Sequence, residues 1–225
     1  MTLFADRADA GQQLARLLQS LQGLRGRDIV VLGLPRGGVP VAAEVARALH
    51  VPLDVIVVRK LGLPLDPEVA MGAIGEEGVR VLNPRVLALA EVTEAQIRTV
   101  ERRERAVLDA RVAELRRGRP RLDLTGRTAL IVDDGVATGS TARAACRVAR
   151  HLGAERVILA VPVIAAQAEG ELQRPAGEAA DEVIAVAAPF GFAAVGQYYR
   201  RFDPTEDAEV TALLARAADG RADTD

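Results

Sequence analysis

Five short apolar runs, rich in β-branched residues, limit the folds open to this chain more than any other feature. They are DIVVLGL at 28–34, LDVIVV at 53–58, TALIVDD at 128–134, RVILAVPV at 156–163 and DEVIAVA at 181–187. Runs that are apolar almost throughout, rather than alternating with polar residues, read as strands buried on both faces. Several end in glycine or proline, and the intervening VPVAAEVARALH and STARAACRVARHLG read as helices. The expected architecture is α/β, a mainly parallel twisted sheet with helices on both faces. Leu14, Leu17, Leu18, Leu21 and Leu24 add an apolar helical face over residues 10–24.

The interval between the second and third runs, residues 59–127, is oversized. Its first part, RKLGLPLDPEVAMGAIGEEGVRVL, is rich in glycine and proline and reads as a mobile loop with a hairpin-like pair near 70–75 and 79–82. Its second part predicts one long charged helix over about 93–117, with Thr93 as N-cap and Gly118 and Pro120 at its end. This helical insertion carries most of the nine arginines found between 98 and 121, but it also holds Glu101, Glu104, Asp109 and Glu114 and no aromatic residues for base stacking. A solvated or subunit-contacting helix is therefore favoured over an RNA surface.

At 225 residues the chain suits one domain, 1–218, with DGRADTD at 219–225 as a disordered tail. A net charge of -2 gives no global attraction to nucleic acid or anionic membrane, so any phosphate must be bound by a local site. No run of about 18 apolar residues and no secretory leader pattern appears, so a cytoplasmic protein without membrane contact is expected. Cys146 is the sole cysteine and, with His50 and His151, forms no zinc-ligand spacing; it reads as a buried helix residue, and the histidines as residues near helix ends.

The chemistry concentrates in TALIVDDGVATGST, residues 128–141. Asp133 and Asp134 repel each other, and neither helps folding by standing beside the other. At the carboxyl end of a parallel strand they lie where ligands of open sheets bind. Gly135, Val136, Ala137, Thr138 and Gly139 then turn into a helix opening at Ser140 or Thr141, whose free amides and dipole favour a phosphate monoester. Vicinal carboxylates beside such a cradle can accept hydrogen bonds from two ribose hydroxyls, so the pattern reads as a ribose 5-phosphate site. A second loop, LPRGGVP at 34–40, offers Arg36 and the unencumbered amides of Gly37 and Gly38 to an anionic group, although a glycine pair there also serves as a plain turn. Arg59 and Lys60 follow a strand end and can face the same crevice.

VDDGVATGST resembles the signature of type I phosphoribosyltransferases, which bind 5-phosphoribosyl 1-diphosphate in this loop. Most of the chain, through RKLG, GAIGEEG and the C-terminal GFAAVGQYYRRF, is similar to a less-characterised bacterial branch of that family. The resemblance implies a hood over the sheet, Mg2+ as cofactor and a diphosphate-binding loop at Pro35, Arg36, Gly37 and Gly38 with a cis Pro35–Arg36 peptide. It also implies a mobile loop beyond Arg59 and Lys60 that closes over the donor. Asp133, Asp134, Arg36 and Lys60 would carry catalysis, with diphosphate displaced from the ribose by a nitrogenous base or related amine.

Relatives acting on 6-oxopurines carry a third acid where this chain has Ala137, which disfavours those acceptors; Glu68, Glu76 or Glu77 are candidate replacements. Phe190, Phe192, Tyr198, Tyr199 and Phe202 either stack on a base or close the core or a homodimer surface. A non-catalytic sensor of phosphoribosyl diphosphate or a nucleotide is the alternative to an enzyme, and nucleotide hydrolysis lacks an assignable water-activating group.

Overall fold

The parallel sheet is built from β1 (Ile29–Gly33), β2 (Leu53–Val55), β6 (Thr128–Val132), β7 (Arg156–Val163) and β8 (Glu182–Ala187), in the order β2-β1-β6-β7-β8. This arrangement comes from a computed structural model that describes residues 2–21, 24, 28–173 and 179–222. All four neighbouring pairs are parallel. A smaller antiparallel sheet joins β3 (Val58–Gly62), β4 (Ala70–Gly75) and β5 (Arg80–Leu82). The helices are α1 (Arg7–Ser20), α2 (Gly38–Leu49), α3 (Pro84–Leu89), α4 (Glu94–Arg116), α5 (Ser140–His151), α6 (Ala166–Leu172) and α7 (Asp207–Ala222).

The strands alternate between two cores, as a period of two requires. Ile29 and Val31 of β1, Leu130 and Val132 of β6, and Ile158 and Ala160 of β7 pack with Leu14 and Leu18 of α1 and Val41 and Val45 of α2. Their neighbours Val30, Leu32, Ala129, Ile131, Val157 and Leu159 pack on the opposite side with Ala145 and Val148 of α5 and Leu172 of α6. Both faces being apolar explains why the runs show no polar alternation.

Two expectations change at the second run. The anticipated strand over 53–58 divides: β2 ends at Val55, and β3 begins at Val58 in the other sheet. β2 is an edge strand with β1 as its partner, so the chain can leave the parallel sheet after Ile56, whose amide bonds the Gly33 carbonyl. Arg59 and Lys60 therefore lie inside a strand pair, opposite Ile74 and Ala73, rather than in a loop after a strand end.

The long helix runs as anticipated from a Thr93–Gln96 capping box to Arg117, which has φ 46°. It is not simply solvated. Ile97, Leu108 and Leu115 are buried against the core, while Arg105 donates to the Gly75 carbonyl at 2.7 Å. Helices α3, α6 and α7 were not anticipated. Helix α7 continues through the first part of the expected disordered tail, and residues 223–225 lie outside the described ones. Among the described residues no helix is long and apolar enough to cross a membrane.

Candidate functional site

Both loops singled out in the sequence meet at the carboxyl edge of the parallel sheet. Strand β6 ends at Val132, and Asp133 and Asp134 follow directly. Gly135 and Val136 are buried, Ala137 and Thr138 are exposed, and Gly139 turns the chain at φ 74°, a conformation glycine adopts without steric cost. Ser140 then opens α5. This helix has no side-chain cap bond at its start, which leaves its first amides without a capping side chain near the hydroxyls of Thr138, Ser140 and Thr141. Such an end is an anion receptor.

The glycine pair of the other loop is explained by close approach. A Cβ on Gly37 would lie 2.0 Å from Asp134 Oδ2, and one on Gly38 would lie 2.6 Å from the Val132 carbonyl oxygen and 2.8 Å from Asp133 Cα. Any larger residue would push the loops apart. The Pro35–Arg36 peptide is cis, as the resemblance implies, and Leu34 donates to the Val132 carbonyl at 2.9 Å. Arg36 is half-exposed and reaches Asp207 at 3.8 Å.

The acidic pair is recessed but sparsely satisfied. Asp133 Oδ1 accepts from the Asp134 amide at 2.9 Å, and Asp134 Oδ2 accepts from Arg7 Nε at 2.9 Å. Burial, with the Asp134 charge beside it, pushes the Asp133 carboxyl well above its usual range. Burial also raises Asp134, which Arg7 pulls partly back. Arg7 in turn lies 4.0 Å over the Phe202 ring and donates to the Asp203 carbonyl at 2.7 Å. Tyr199, whose hydroxyl is raised by burial and so stays protonated, donates to the Asp134 carbonyl at 2.6 Å. The first helix thus holds the Asp134 carboxylate through Arg7, and the C-terminal aromatic segment holds the Asp134 backbone and Arg7. Sequence reasoning missed Arg7, because one arginine at a helix start carries no pattern of its own.

The aromatic segment divides by role. Tyr198 and Tyr199 are buried and pack with Phe4, Phe192 and Phe202, whereas Phe190 is 94% exposed. Only Phe190 is fully free to meet another molecule.

On the other flank of the site lies a cavity of about 320 Å3, lined by Leu34, Pro35, Val57, Arg59, Arg111 and Thr141 among others. Arg59 is held by Glu104 at 2.6 Å, where burial raises the carboxyl but hydrogen bonds from Arg59 and Arg103 more than offset it. Lys60, next along the strand, points to the opposite face and meets the Glu68 carbonyl at 3.2 Å. The structure therefore brings Arg59 to the cavity but not Lys60. None of the three glutamates considered as acid or base lines it: Glu68 pairs with Lys60, Glu76 with buried Arg116, and Glu77 with Arg121 at 2.9 Å. Cys146 is buried in α5, its thiol pushed up to about 12 by burial, which suits packing rather than reaction.

Among the described residues no three Asp, Glu, His or Cys side chains gather to hold a metal.

Comparison with known proteins agrees with this geometry. A family model described as "Phosphoribosyl transferase domain" matches residues 5–192. A protein known as a "putative phosphoribosyl transferase" in Mycobacterium tuberculosis, strains H37Rv and CDC 1551, is 56% identical over 217 residues. That match covers 96% of this chain and 47% of the relative, so the chain spans about half its length. The crystal structure of TT1426 from Thermus thermophilus superposes with a TM-score of 0.86 at 44% identity, covering 96% of this chain and 99% of that one.

Proposed function

The chain belongs to the phosphoribosyl transferase domain family, and from that premise we propose that it displaces diphosphate from 5-phosphoribosyl 1-diphosphate with a nitrogenous base or related amine. The observation that carries the reading is the contact between the acidic pair and the Gly37–Gly38 loop. One ligand spanning a few ångströms can touch both loops at once, as a sugar bearing a diphosphate does.

In this reading the 5-phosphate rests on the first amides of α5 and the hydroxyls of Thr138, Ser140 and Thr141. Asp133 and Asp134 accept hydrogen bonds from the 2- and 3-hydroxyls of the ribose, which fixes C1 in place. Arg36 and the Gly37 amide take the diphosphate, with Arg59 behind them; the Gly38 amide, expected from the sequence to be free, instead donates to the Leu34 carbonyl at 3.0 Å. The acceptor nitrogen forms its bond to C1 while the C1–oxygen bond breaks, the electron pair leaving on diphosphate and the nitrogen's proton passing to solvent water. Carboxylates near the ribose also favour the positive charge that develops on the ring. Mg2+, held mainly by the oxygens of the donor and water, would offset the charge of the leaving group. Of the aromatic residues in the C-terminal segment, the exposed Phe190 is the one free to stack on a planar acceptor. The whole activity, in a cytoplasmic protein acting on small molecules, is the reading these features support.

The test is diphosphate release from phosphoribosyl diphosphate and Mg2+ across a panel of purine and pyrimidine bases and small amines. Release that depends on one acceptor class supports the transferase. Tight donor binding with no release under any acceptor would favour a sensor that uses the same site.

A further inference from the structure

Helix α4 carries an arginine to the diphosphate end of the site. Arg111 stands in the wall of the 320 Å3 cavity with Leu34 and Pro35 of the glycine loop, Arg59 of β3 and Thr141 of α5. Its guanidinium serves two carboxylates: Nη1 donates to Glu114 at 2.8 Å, and Nη2 pairs with Asp207 at the start of α7. Asp207 also pairs with Arg36. One carboxylate therefore lies between the arginine of the glycine loop and an arginine from an element 75 residues away in sequence.

Two guanidiniums converging on one anion form a receptor for an anion. The Arg111 hydrogen bond holds the Asp207 carboxyl below its usual range, and Asp207 in turn raises Arg111, so both stay charged at neutral pH. Of the remaining walls, Ile56, Val57, Val58, Val107 and Ala110 are apolar, and the one carboxylate among them, Glu114, is held by Arg111 itself; an apolar surround strengthens electrostatic attraction. A second cation is also missing from the expected place, since Lys60 faces Glu68.

We propose that Arg111 is a diphosphate-binding residue, and that Asp207 occupies Arg111 and Arg36 in the free protein until an incoming diphosphate displaces it. The inference rests on the donor-site reading above and extends it to an element outside the signature loops.

The test is calorimetric titration of the full chain with inorganic pyrophosphate and Mg2+, and separately with ribose 5-phosphate. Arg111→Gln is expected to weaken pyrophosphate binding by about ten-fold or more, with partial recovery in Arg111→Lys. Asp207→Asn should tighten it, and ribose 5-phosphate affinity should hold in all variants. A merely structural ion pair is broken by either substitution, so it would move pyrophosphate affinity in the same direction in both. Such parallel shifts, or unchanged affinity in a folded Arg111→Gln protein, overturn the proposal. Should Arg111→Gln fail to fold, Asp207→Asn decides, and unchanged or weaker pyrophosphate binding there overturns it. Wild-type protein that binds ribose 5-phosphate but not pyrophosphate defeats this inference alone, whereas protein that binds neither defeats the donor-site reading as well.

Discussion

Two clusters in this protein each set two carboxylates against one arginine, with opposite results. Arg116 donates from Nη1 to Asp54 at 2.9 Å and from Nη2 to Glu76 at 2.9 Å and the Val55 carbonyl at 3.1 Å, while Nε meets the other Glu76 oxygen. The carboxylates are completed by backbone amides, Asp54 by Val55 and Leu122 at 2.8 Å each and Glu76 by Val57 at 3.4 Å. At the other cluster Arg7 reaches Asp134 alone, and Asp133 accepts from its neighbour's amide. The first cluster is buried and closed upon itself. The second retains acceptor capacity aimed at the crevice, and its carboxyls are raised. Equal composition therefore does not mean equal satisfaction: one cluster is closed by its own bonds, and the other leaves acceptors open at a strand end, which is the basis on which we propose it as the ligand site.

The comparison breaks most sharply at Arg116. Arg116→Met leaves two buried acids facing each other without a cation, and should cost about 3–5 kcal/mol in urea unfolding. A loss near zero would remove the structural role assigned to that cluster.

Asp133→Asn should do the reverse. Burial and the Asp134 charge raise Asp133 above 3.8, so the folded chain holds this proton more tightly than the unfolded one. The stability of the ligand-free protein therefore rises as pH falls from the raised value toward 3.8, and declines as pH rises through the same window. The substitution should flatten that part of the pH profile and leave the neutral-pH protein as stable as wild type or more so, by about 1 kcal/mol. A clear loss of melting temperature would mean that the carboxylate supports the fold after all.

A smaller effect is expected at Arg7, which pulls both carboxyls down. In Arg7→Gln they rise further, so the acid limb of donor binding should move to higher pH, with Arg7→Lys partly restoring it. Donor affinity measured between pH 5 and 8 reads the shift directly, and an unmoved limb would assign Arg7 to packing alone.

The parallel sheet was legible because its strands are apolar on both faces, and the long helix because Thr93 and Gly118 mark its ends. The two loops were legible because glycine, acid and hydroxyl residues are grouped locally, as at 133–141. What escaped depends on contacts distant in sequence. The division at Ile56 follows from an edge strand that has no second neighbour. The turning of Lys60 away from Arg59 follows from both residues lying in one strand. Arg7 and Arg111 reach the site from helices whose own patterns signal only packing and solvation, and Asp207 belongs to a helix that was not foreseen.

The most direct measurement is titration of phosphoribosyl diphosphate, with Mg2+, into wild-type protein and into the variant carrying both Asp133→Asn and Asp134→Asn. Saturable binding by the wild type, weakened about ten-fold or more in a variant that melts no lower, is the predicted result. Equal affinity in the two proteins would contradict the assignment of the acidic pair to the ribose.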